Sequence, residues 1–100
     1  MMYKFAEIRK LDKMLDNARI PHELQPYMGG FVLAYPSIRE RTCFVTQTRN
    51  SLGGPYDLLE LQGLLTKREA KVDKSVGAMT AAEIYERIVK HWKEKENEPE

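Results

Sequence analysis

The fold is decided by residues 31–47, which read FVLAYPSIRERTCFVTQ. The stretch holds two runs of apolar, β-branched and aromatic residues, separated by Pro36 and a charged connection, as in neighbouring β-strands. Before it, Gly29 and Gly30 supply the backbone freedom of a tight turn after an extended segment at residues 22–27. We therefore predict a three-stranded antiparallel β-meander.

Amphipathic helices are predicted on both sides of this meander. Residues 3–18 place apolar side chains at every third or fourth position with charges between them, and Pro21 ends the helix. Near the other end, Thr80 and Glu83 have the spacing of a capping box, and residues 84–92 again have a helical period. A helix should therefore begin at Thr80.

A dense leucine segment follows the meander, and we predict a short helix over residues 56–65. Either this helix is buried between the sheet and the last helix, or its surplus apolar surface is covered by a partner. The candidate interaction surface consists of Leu58, Leu59, Leu61, Leu64 and Leu65. Further apolar area is expected on the outer sheet face from Tyr27, Met28, Tyr35 and Phe44.

Length and composition indicate one α+β domain. The chain has 100 residues, of which 42% are hydrophobic and 31% charged, as in a folded protein with one core. We expect the domain to span residues 1–94, with residues 95–100 as a frayed charged tail. The predicted core consists of Phe5, Ile8, Leu15, Val32, Leu33, Cys43, Val45, Leu58, Leu61, Leu65, Ile84, Ile88 and Trp92.

Charge and cysteine content restrict the possible partners and the compartment. Sixteen basic and fifteen acidic residues give a net charge of +1, which excludes a strong overall attraction to nucleic acid or anionic lipid. Cys43 is the single cysteine, so no internal disulfide can form. No apolar run has the length of a membrane span or the pattern of a signal peptide. We predict a cytoplasmic protein.

Catalytic and metal-binding patterns are weak. A nucleophile would have to be Cys43 with His22 or His91, but a cysteine in a strand is usually a small core residue, and both histidines are expected on the surface. Asp57 and Glu60 would share a helix face, which suits a hard cation or simply a solvated surface. We expect no catalytic residue, no cofactor and no metal.

The candidate binding loop precedes the leucine segment. Its Gly-Gly-Pro sequence leads into the predicted helix, whose first amides can bind an anion. Phosphate-binding glycine motifs are absent, and an acidic residue in the first turn opposes a phosphate, so a capped turn is the alternative. The candidate residues are Arg49, Asn50, Ser51, Gly53, Gly54 and Asp57.

The C-terminal half resembles a family of small uncharacterised proteins encoded by phages and prophages of Gram-positive bacteria. The matching segments are DLLELQGLLT at residues 57–66 and TAAEIYERI at residues 80–88. A looser match covers Tyr35-Pro36 and the strand at 43–45. The resemblance implies an intracellular, phage-related accessory protein without an enzymatic activity.

Two functional hypotheses follow. The first is a non-enzymatic protein-interaction module that pairs with itself as a homodimer or binds a host or phage protein. The alternative is a nucleic-acid-binding accessory protein, because the order of helix, meander and helix is that of double-stranded RNA-binding domains. It would use Arg39, Arg41 and Arg49, but acidic residues stand where those domains carry a lysine cluster. No membrane partner is expected.

Overall fold

The computed structural model describes residues 5–48 and 57–96. Its elements are α1 (Ala6–Asn17), β1 (Glu23–Tyr27), β2 (Gly30–Tyr35), β3 (Cys43–Gln47), β4 (Leu59–Gln62), α2 (Lys67–Val72), β5 (Ser75–Met79) and α3 (Ala81–Glu96). The strands form one antiparallel sheet in the order β1-β2-β3-β4-β5. The α+β class and the two long helices are confirmed, whereas three strands were too few: the sheet has five.

The leucine segment predicted as a helix is strand β4. Leu59 and Leu61 are fully buried and alternate with the half-buried Glu60 and Gln62, which is the period of a strand. The prediction was wrong because a run of closely spaced leucines satisfies both periods. Leu59 and Leu61 therefore cannot belong to the candidate interaction surface. Its other members are half-buried: Leu58, Leu64 and Leu65.

Two capping boxes begin the helices of the C-terminal half. The predicted box at the start of α3 is confirmed, because Thr80 Oγ1 accepts from the Glu83 amide at 3.3 Å and Glu83 accepts from the Thr80 amide at 3.2 Å. The same pair of bonds joins Thr66 and Glu69 at the start of α2. Residues 66–75 thus contain a short helix and the first residue of β5.

Gly63 makes the exit from β4 possible. Its φ of 87° is left-handed, and a Cβ built there would lie 2.9 Å from the Cα of Cys43 and even closer to the Thr42 carbonyl oxygen. Only glycine fits where the chain turns this close to β3.

The core lies between one face of the sheet and the two long helices. Helix α1 packs against α3 and against β2 and β3. The core comprises Ile8, Leu11, Leu15, Ile20, Leu33, Tyr35, Cys43, Val45, Leu59, Leu61, Met79, Ala81, Ile84 and Ile88, with Phe5, Leu65 and Trp92 partly buried against it. Of the predicted core residues, Val32 and Leu58 lie outside this cluster, because each alternates with a core residue along the chain.

The C-terminal helix ends at Glu96, two residues beyond the predicted domain boundary, and the rest of the predicted tail lies outside the described residues. Within residues 5–48 and 57–96, no helix is both long and apolar enough to cross a bilayer.

Arg87 links α3 to α2 through hydrogen bonds. Its guanidinium donates to both carboxylate oxygens of Glu69, at 2.7 and 2.8 Å, and to the Leu64 carbonyl oxygen at 3.2 Å. The hydrogen bonds from Arg87, and then that from the Thr66 amide, lower the pKa of Glu69 to about 2. The folded state therefore stabilises the ionised form of the Glu69 carboxylate.

We predict that Glu69→Gln lowers the free energy of unfolding at pH 7 by about 1 kcal/mol, the upper range for a partly exposed ion pair. Glu69 has a lower pKa when folded than when unfolded, so its stabilisation is complete above pH 4.5 and is lost as pH falls toward about 2. Urea denaturation between pH 7 and pH 2 should show a flatter acid dependence in the variant. An equal slope in both proteins would contradict the prediction, and Glu86→Gln on the exposed side of α3 is the control.

Candidate functional site

The sheet has an outer face, on the side opposite α1 and α3. Antiparallel partners carry their side chains on the same side, and the registers place alternate rows of residues on this face. We define the outer face by Glu23, Gln25, Tyr27, Val32, Ala34, Phe44, Thr46, Glu60 and Gln62. The rows between them supply the core, so the outer face is the side of the sheet that those two helices leave free.

A shallow groove of about 300 Å³ runs over one end of the outer face. Its lining residues are Tyr27, Met28, Phe44, Thr46, Thr48, Glu60 and Gln62. Met28 is 72% exposed and Tyr27 is 45% exposed, which makes them two of the three large hydrophobic residues most open to solvent in the described part of the chain. Both were predicted to add apolar area to this face, and both do.

Two basic residues, Arg41 and Lys74, share a depression with Phe44 at the other end of the outer face. The guanidinium of Arg41 lies 4.8 Å from the centre of the Phe44 ring, within the range of a cation–π contact. Arg41 and Lys74 both line a depression of about 270 Å³ that also contacts Phe44 and Gln62. Arg41 is thus placed beside an aromatic ring, while Arg39 is exposed on the β2–β3 connection.

The two edges of the sheet are poor templates for a further strand. Pro26 removes a backbone donor from edge strand β1. The other edge, β5, has a register shift against β4, and Ala78 there has a φ of 58°. Irregular or proline-containing edges discourage pairing with another chain. Contact with a partner is therefore favoured across the face of the sheet rather than along its edge.

Tyr35 and His91 form a hydrogen-bonded pair on the helical side of the sheet. Tyr35 was expected on the outer face, but it is 1% exposed and its hydroxyl lies 2.8 Å from His91 Nδ1. Burial, and secondarily the neighbouring Cys43, raise the pKa of Tyr35. His91 was expected on the surface; it is half-buried and lines two depressions, and its bond to Tyr35 was not predicted from the sequence. The missed signal was spacing, because Ile84, Ile88 and His91 follow one helical stripe.

Cys43 has the environment of a core residue. It is 2% exposed, and burial raises the pKa of its thiol to about 12. Nδ1 of His91 bonds to Tyr35, and Nε2 of His22 faces carboxylates of α1. Neither of these contacts places an imidazole nitrogen as a base for the Cys43 thiol. A thiolate nucleophile is not prepared by this arrangement.

Of the candidate binding loop, the described residues include only Asp57. Arg49, Asn50, Ser51, Gly53 and Gly54 lie outside the described residues. Asp57 does not sit in the first turn of a leucine-rich helix as predicted: its Oδ1 accepts from Gln47 Nε2 at 2.6 Å and from the Glu7 amide at 3.2 Å. The carboxylate therefore satisfies the N-terminus of α1.

Asp57 and Glu60 do not share a helix face, because Glu60 belongs to strand β4. Glu7 continues the network around Asp57 by accepting from the Ala81 amide at 3.1 Å, at the start of α3. Asp57 thus acts as a structural link between elements distant in sequence.

Comparisons with protein-family models, with curated proteins and with solved structures find no match to this chain. The resemblance of the C-terminal half to phage and prophage proteins therefore stays a prediction.

We predict that Cys43 of the folded protein is inert toward thiol reagents. Its burial and raised pKa leave almost no accessible thiolate at pH 8. Labelling by a disulfide-exchange reagent should be limited by unfolding in buffer and immediate in denaturant. Rapid labelling of native protein would restore Cys43 as a candidate nucleophile.

Proposed function

We propose that this protein is a non-enzymatic interaction module that pairs with a second copy of itself through the outer face of its sheet. The observation that carries the proposal is the exposure of Tyr27 and Met28 on the same face as Phe44 and its stacked Arg41. A phage-related accessory role, as the resemblance implies, is compatible with such pairing.

The composition of the outer face supports association. Aromatic residues, methionine and arginine are enriched in protein interfaces, and these types flank the groove. Fully burying an exposed methionine contributes roughly 1.5–3 kcal/mol, so covering Met28 and Tyr27 is a substantial gain. Half-buried Phe44, held by Arg41, adds a ring that needs little further ordering.

The charge distribution favours a second copy as the partner. The face combines Arg41 with Glu23 and Glu60, so two-fold symmetry can bring opposite charges together. The net charge of +1 creates little repulsion between copies. Strands about 4.8 Å apart and about 17 Å long give the face a footprint of roughly 20 by 17 Å, below a standard interface. We therefore expect a weak dimer that depends on concentration.

A single-stranded nucleic acid is the second candidate partner. An aromatic ring that stacks with one cation and shares a depression with another, as Phe44 does with Arg41 and Lys74, is a combination on which unpaired bases stack. Against it, Glu23 and Glu60 lie on the same face, and Glu7 and Glu83 sit where the helix N-termini would face phosphates. The structure therefore favours single strands over the duplex suggested by the element order.

We predict that light scattering shows a solution mass rising from monomer toward dimer as the protein concentration increases. Met28→Lys should hold the mass at that of a monomer, because a charge introduced into the apolar contact must be desolvated. The matched control is Val72→Lys: Val72 is 85% exposed on α2, and the same substitution there should leave association unchanged.

The dimer proposal has two contradicting outcomes. One is a mass that stays monomeric up to about 1 mM, where even a contact of about 4 kcal/mol would be half formed. The other is an equal loss of association in the Met28 and Val72 variants, which would place the contact elsewhere or trace it to general charge.

For nucleic acid, we predict that any binding prefers single strands, weakens with salt and is reduced by Arg41→Gln, because phosphate contacts release counterions. Fluorescence anisotropy with labelled oligonucleotides at low and high salt measures this. Arg68→Gln, an exposed arginine on α2, is the control. Absence of binding at low salt would remove this candidate.

A further inference from the structure

Two aspartates and a histidine converge where α1 ends. Asp12 and Asp16 are one helical turn apart on α1, and the chain then reverses through Arg19, whose φ of 57° is left-handed. The Ile20 amide bonds to the Leu15 carbonyl oxygen at 3.0 Å, which fixes the turn. His22 is thereby brought back alongside the helix. The sequence predicted an exposed histidine here, but its side chain is only 7% exposed.

The imidazole is held in one orientation. Nδ1 lies 2.8 Å from the Ile20 carbonyl oxygen, which can only accept, so Nδ1 carries a proton. Nε2 therefore points at the carboxylates, 2.8 Å from Asp12 Oδ1 and 3.1 Å from Asp16 Oδ1. A histidine whose second nitrogen donates to a backbone carbonyl is the usual arrangement of a metal ligand, because the bond sets the tautomer and the ring orientation.

Charge balance argues for a cation between the three side chains. A protonated His22 has one Nε2–H to offer two carboxylates, and the group as a whole would keep one excess negative charge. A divalent cation in place of that proton would bind all three ligand atoms and balance both carboxylates. The three atoms lie within 4.8 Å of one another.

We propose that Asp12, Asp16 and His22 bind a divalent transition-metal cation, with zinc as the best match. One nitrogen and two oxygens are ligands that zinc accepts at about 2.0–2.2 Å, which for tetrahedral geometry separates neighbouring ligands by about 3.3 Å. The observed 2.8 and 3.1 Å from His22 Nε2 to the two carboxylates lie within about half an ångström of that separation, and the two aspartate oxygens lie within 4.8 Å of each other. Asp16 is 63% exposed, so the cation can enter from solvent and water can fill the remaining position.

The proposed site is independent of the outer face. It belongs to α1 and the turn before β1, and α1 packs on the helical side of the sheet. Zinc binding and dimer formation can therefore succeed or fail separately.

The experiment is calorimetric titration of the chelator-treated full chain with zinc chloride, with cobalt absorption as a spectroscopic check of the ligand geometry. We expect one cation per chain and a melting temperature that rises with zinc, because the cation binds only the folded arrangement. Asp16→Asn and His22→Gln should each weaken binding at least about tenfold, since even groups behind the ligands contribute that much. The exposed position of Asp16 makes its variant the one that should fold normally.

The controls separate this site from adventitious binding. His91→Gln removes the other histidine, which lines a separate depression with Glu94, and should leave the affinity unchanged. Glu86→Gln removes an exposed carboxylate and should do the same. The proposal is overturned if zinc gives neither heat nor a thermal shift, or if binding survives in Asp16→Asn and His22→Gln but is lost in His91→Gln.

Discussion

Side chains of a β-strand alternate between two faces, and α1 and α3 both pack against the same face of this sheet. This constraint gives the sheet one face that packs against α1 and α3 and one face that does not. One set of rows, including Leu33, Val45 and Leu61, forms the core, and the rows between them are left to other uses. The outer face can therefore carry Phe44 and Tyr27 without affecting the core.

The sequence predicted the secondary structure correctly in segments where a single hydrophobic period dominated. The apolar stripes of α1 and α3 and the alternation around Val45 predicted helices, strands and most core residues correctly. It was insufficient in the leucine segment, where the burial of Leu59 and Leu61 in a strand depends on pairing with β3 and β5. Pairing partners far along the chain are tertiary information, and local propensity cannot supply them. The start of α2, in contrast, has a local sequence signature in the capping box of Thr66 and Glu69.

The residues of the candidate sites likewise include some that local sequence predicts and some that depend on tertiary structure. The exposure of Tyr27 and Met28 beside a glycine turn was predictable from local sequence, since a turn residue has little to pack against. The position of Tyr35 was not, because assigning it to the core side requires the register of β2 against β3. His22 was missed for a related reason. Its approach to Asp12 and Asp16 depends on a chain reversal whose left-handed residue, Arg19, carries no sequence signature.

Glu7 has a consequence for the timing of folding. Its carboxylate accepts a hydrogen bond from the Ala81 amide, 74 residues further along the chain. This bond joins the N-terminal ends of α1 and α3. During synthesis, α1 leaves the ribosome before the five strands and α3. The apolar stripe of α1 must therefore remain uncovered on one side until α3 has emerged. Contacts of such long sequence separation slow folding and prolong the period in which a nascent chain is vulnerable to aggregation.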